Sequence, residues 1–159
     1  LFDLTLFIQN IVSVSEIVFA DKEEKETKER FVSVANEYLK SFTDKSKLHL
    51  NSFLIPEKKD IKFNAIYNNT QSTLSLVNYV TGSSNFYFSN SISKANMLFQ
   101  MAEDSSAKIF IKSKVSIIDT SADGYTPAKL ASYLYHLEHH TGSLLVNWSE
   151  KEKLQSILN

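Results

Sequence analysis

Apolar residues recur at helical spacing from Leu4 to Phe42 and at alternate positions from Leu48 onward, so the chain has to combine helices with a sheet. At 100° per residue, Leu4, Phe7, Ile8, Ile11, Val14 and Val18 share one side of a first helix, and Asp3, Gln9, Asn10, Ser13 and Glu16 share the other. A second helix is expected to start near Asp21. Asp21 with Glu24 three residues later reads as a capping-box variant. Glu24–Lys28 and Glu26–Arg30 follow as i,i+4 pairs in the favourable order. Phe31, Val34, Ala35, Tyr38, Leu39 and Phe42 form its apolar stripe, and the charged run from Lys22 to Arg30 reads as a solvated face.

From Lys47 the pattern switches. Leu48, Leu50 and Phe53-Leu54-Ile55 make a strand closed by Pro56. Residues 61–67 and 72–81 read as a β-hairpin around Asn68-Asn69, with a helix over 72–81 as the alternative. Asn85-Phe86-Tyr87-Phe88 is expected to be a short strand, followed by a helix from Ser91 to about Asp104. Lys108–Asp119 alternates like a strand, with a break near Lys112-Ser113-Lys114 that would split it in two. Thr126-Pro127 opens another helix, with Thr as its cap and Gly142 marking its end. Leu144-Leu145-Val146 is a strand, and Ser149 to Glu152 forms a capping box for a final helix through Leu158.

The expected fold is therefore α+β: an antiparallel sheet with helices packed on one face. Residues 85–148 take a ferredoxin-like βα(β)βαβ order, preceded by two N-terminal helices and the hairpin. One domain spans residues 1–159, with a seam near 81–85 as the place where it would divide.

Composition narrows the function classes. Seventeen basic and eighteen acidic residues leave a net charge of -1, which gives no strong field for nucleic acid or an anionic membrane. A local basic patch stays compatible with that sum, because placement matters as well. With no cysteine there is neither a disulfide nor a thiolate site. Gly82, Gly124 and Gly142 stand too far apart for a phosphate-cradling glycine loop. The chain opens on Leu1 rather than Met, which reads as a processed or trimmed product. Residues 1–20 are too polar to span a bilayer. They read as a core or interface helix, with a membrane-surface helix or the remnant of a targeting segment as alternatives.

Two clusters carry the residue types of metal chemistry. His136, His139 and His140 lie within five positions, and the i,i+4 pair shares a helix face. Their H-x-x-H-H spacing resembles one histidine box of membrane fatty-acid desaturases, but the further boxes and membrane helices of that family are missing. Asp119-x-Ser121-x-Asp123-Gly124 resembles the opening of an EF-hand calcium loop. Leu130 then stands where that loop needs a bidentate glutamate. The bland readings are histidines favoured at a helix C-terminus and a polar loop leading into the next cap.

Among the aromatics, Asn85-Phe86-Tyr87-Phe88 resembles a base-stacking strand of RNA-recognition folds without their basic and glycine pattern. Tyr133 and Trp148 suit an interface, with core packing as the plain alternative. No Ser-His-Asp framework or nucleophile elbow is present, and no cofactor is expected. The reading favours a non-enzymatic protein–protein interaction or scaffolding domain, such as a subunit or extracytoplasmic domain of a larger assembly. Its binding face would be Leu4, Phe7, Ile8, Ile11 and Val18 with Tyr133 and Trp148. The alternative is a metal-dependent enzyme or metal-binding module using the histidine cluster or the Asp119–Asp123 loop.

Overall fold

A computed structural model describes the backbone of residues 4–159, with side chains at Val12 and from Val14 onward. Its elements are α1 (Leu4–Phe42), β1 (Leu48–Ile55), β2 (Lys58–Thr70), β3 (Thr73–Val80), α2 (Asn85–Glu103), β4 (Ile111–Ile118), α3 (Pro127–Thr141), β5 (Leu144–Asn147) and α4 (Lys153–Leu158). Short 3-10 turns precede β4 at Lys108–Phe110 and follow β5 at Trp148–Glu150.

The five strands lie in sequence order, β1-β2-β3-β4-β5. β1, β2 and β3 form an antiparallel meander, whereas β3–β4 and β4–β5 are parallel. The expected antiparallel, ferredoxin-like sheet is thus replaced by a mixed one. The reason lies at residues 85–88. Phe86 points to solvent and Phe88 is fully buried, and the apolar positions continue as Ile92, Ala95, Phe99 and Ala102 at helical spacing. Ser84 caps this helix, its side chain accepting from the Tyr87 N–H at 3.3 Å. With no strand at 85–88, β3 runs straight through α2 into β4. The expected break near Lys112-Ser113-Lys114 does not split the strand: β4 is continuous, and the register only shifts at Lys112, between the Leu74↔Ile111 and Ser75↔Ser113 pairs.

The two expected N-terminal helices are one. Neither Gly nor Pro interrupts Leu4–Phe42, and Asp21 and Glu24 cap nothing. Asp21 Oδ1 instead accepts from the Tyr87 hydroxyl at 2.7 Å, which holds that phenol's proton more tightly than usual. Glu24 Oε2 accepts from the Ser83 N–H at 2.7 Å and its hydroxyl at 2.8 Å. The pairs Glu24–Lys28 and Glu26–Arg30 do not form, and on this stretch Lys25 meets Glu29 at 4.0 Å. Thr126 makes no side-chain cap bond, since its hydroxyl accepts from Asn85 Nδ2 at 2.7 Å. The Ser149 capping box is likewise absent, and α4 begins at Lys153. Gly142 ends α3 at φ 71°, as a left-handed C-cap.

Helices cover both faces of the sheet rather than one. Leu76, Val80 and Ile118 pack with Phe88, Ile92 and Phe99 of α2 and Leu130 and Leu137 of α3. The alternate strand positions Val77, Tyr79, Val115 and Ile117 pack with Phe31, Ala35 and Leu39 of α1 and Leu154 and Leu158 of α4. Residues 81–85 turn directly from β3 into α2. This turn is tight: Gly124 N–H donates to the Gly82 carbonyl at 3.0 Å, and a Cβ on Gly124 would strike the Gly82 and Ser84 carbonyls.

Candidate functional site

Three places hold the residues with functional potential. The first is the start of α1. A stripe of buried residues, Glu24, Thr27, Phe31, Ala35 and Leu39, seats α1 on the body with spacing of three to four. Upstream of Glu24 no described residue is buried, and Val12, Val14, Ile17, Val18 and Phe19 are 50–68% exposed. Val18 therefore belongs to an open apolar surface, while the side chains of Leu4, Phe7, Ile8 and Ile11 lie outside the described residues. No described helix is long and apolar enough to cross a membrane.

The second is the C-terminal half of α3. His136 and His140 pack ring to ring at 4.6 Å, and Gln100 Nε2 reaches the His140 ring at 2.6 Å. His139 is turned away from them, stacked on Tyr135 at 3.9 Å. Asp119 is buried at the end of β4, accepting from the Thr81 hydroxyl at 2.7 Å and the Ser121 hydroxyl at 2.8 Å. Asp123 is exposed. Among the described residues no three His, Cys, Asp or Glu side chains gather where they would hold a metal ion. Tyr133 and His136 border a cavity of about 330 Å³ between α2 and α3. Trp148 is half-buried, edge-on to Phe31 at 5.4 Å and Tyr38 at 5.7 Å, so it ties α1 to the segment after β5.

The third is a cleft that sequence reasoning did not find. β2 pairs with β3 only from Ala65↔Val77 to Thr70↔Thr73. Before Ala65, β2 stays with β1 alone, while β3 continues along β4 to Val80↔Ile118. The sheet is split there. Asn64 holds the mouth of the split, its Oδ1 accepting from the Tyr79 N–H at 2.8 Å. Asn51, between the Leu50↔Ala65 and Ser52↔Phe63 pairs, takes a φ of 49°, a left-handed conformation that asparagine tolerates.

The resulting cavity of about 590 Å³ lies between the split strands, α1 and α2. Lys28, Lys59, Lys62 and Lys94 line it against two carboxylates, Glu24 and Asp60. Among the described residues, none of the four lysines forms an ion pair. Asn78, 4% exposed, also lines it, and its Nδ2 has no hydrogen-bond partner. No single segment signalled this site, because the lysines come from α1, the β2 hairpin arm and α2.

The fold defines the class of the chain, an α+β domain on a mixed five-stranded sheet. Compared with protein-family models, curated proteins and solved structures, it matches none.

Proposed function

We propose that the protein is an interaction domain that assembles with further copies of itself through the first half of α1. The observation that carries this reading is the run of open apolar side chains from Val12 to Phe19 on a helix whose later turns are packed. A helix end without tertiary packing is marginal in water, and exposed valine, isoleucine and phenylalanine add no stability until something covers them. Spacing favours another helix as the cover. Leu4, Phe7, Ile11, Val14 and Val18 alternate steps of three and four, the pattern of a coiled-coil seam, and Asp21 ends it. That seam carries no charge along its length, so an identical helix complements it. Val12 and Phe19 lie about 100–120° round the helix from that seam and are also exposed, which suits a bundle of more than two helices.

The double substitution Val14→Lys, Val18→Lys tests this by light scattering over a range of concentrations. Wild type is expected to scatter as an assembly and the variant as a single 18.1 kDa chain, its far-ultraviolet dichroism lower only by the uncovered first half of α1 and its unfolding still cooperative. A wild type that stays at one chain mass throughout, or a variant with unchanged mass, contradicts the reading.

A further inference from the structure

The geometry points to the cleft between split strands β2 and β3 as a binding site for a phosphate-bearing small molecule. Four features converge on it. The volume of about 590 Å³ falls within the usual range for small-ligand pockets, roughly 300–1,000 Å³. Its lining is cationic on balance in a chain whose net charge is -1, since four lysines face two carboxylates. One of those carboxylates, Glu24, is already committed to Ser83. The lysines stand on three separate elements and, among the described residues, form no ion pair, so the cleft keeps a net positive charge. Lys62 is held over the Phe53 ring at 5.1 Å, a contact that leaves its N–H groups free to donate.

The fourth feature is Asn78. A buried amide nitrogen without an acceptor is rare in native structures and calls for a cause. Asn78 lines the cleft, and a turn of its amide toward the cavity would give that nitrogen an anionic oxygen to bind. A tetrahedral phosphate, with several oxygens, can take donors from opposite walls at once, which matches lysines on β2, α1 and α2 better than a single planar carboxylate does.

Titration of the full chain with inorganic pyrophosphate tests the assignment. One equivalent is expected to bind, more weakly as salt rises, with amide shifts grouped at the Asn78 side chain, Thr81 and Ser91. Lys62→Glu with Lys94→Glu, exposed charges on opposite walls, should weaken binding about tenfold or more while the unfolding temperature holds. Asn78→Leu should also weaken it while keeping every lysine. Equal charge changes at Lys45 and Lys129, outside the cleft, should leave it nearly unchanged. No binding at millimolar pyrophosphate overturns the proposal. So does an affinity that the cleft and outside variants lower equally, or one that Asn78→Leu leaves intact.

Discussion

A buried amide that finds no acceptor costs roughly 1–3 kcal/mol, and Asn78 carries such a group beside Leu76 and Val80 on one face of β3. If that cost is kept for a ligand, removing the amide should strengthen the empty fold. Asn78→Leu is expected to raise the unfolding temperature by a few degrees, about 2–4 °C per kcal/mol for a chain of this size. An unchanged or lower value in calorimetry would mean that the amide has no penalty to relieve. Tyr79 makes the opposite kind of contribution. It is buried, its hydroxyl donates to Asn36 Oδ1 at 2.7 Å, and burial pushes its ionisation well above the ordinary value. A raised folded-state value gives stability that is whole below the unfolded value near 10 and declines as pH climbs beyond it. Denaturant titrations between pH 9 and about 11.5 should therefore show stability falling, and Tyr79→Phe should flatten the fall. An equally steep fall in the variant would place its origin elsewhere.

At the scale of elements, the sequence was readable wherever one period ran uninterrupted to a stop signal. β1 ends before Pro56, and α3 runs from Pro127 to Gly142, since those residues remove a backbone donor or admit a left-handed turn. Misreadings arose where a local signal had a tertiary use. Asp21 and Glu24 resemble a cap but bind Tyr87 and Ser83 across the fold, so α1 runs on through them. Phe86-Tyr87-Phe88 has the aromatic content of a strand, yet the burial of Phe88 alone belongs to the first turn of α2. The histidine cluster was visible because its members are adjacent, although His139 turns from the other two. The cleft was not visible. Its charges are scattered from Lys28 to Lys94, and only the early parting of β2 from β3 brings them together.

Across the whole molecule, the sheet decides where each helix can go. Strands advance in one direction from β3 to β5, and crossover connections share one hand, so α2 and α3 fall on the same face. The other face is left to α1 and α4. α1 spans about 58 Å at 1.5 Å per residue, more than the packed stripe from Glu24 to Leu39 uses. Its first half is the surplus, which other copies cover in the proposed assembly. Amide hydrogen exchange followed as a function of protein concentration tests this most directly. Residues 27–42 should be strongly protected at every concentration, while residues 12–22 should exchange quickly when dilute and become protected as concentration rises. Protection over 12–22 that ignores concentration, whether high or absent throughout, would contradict it.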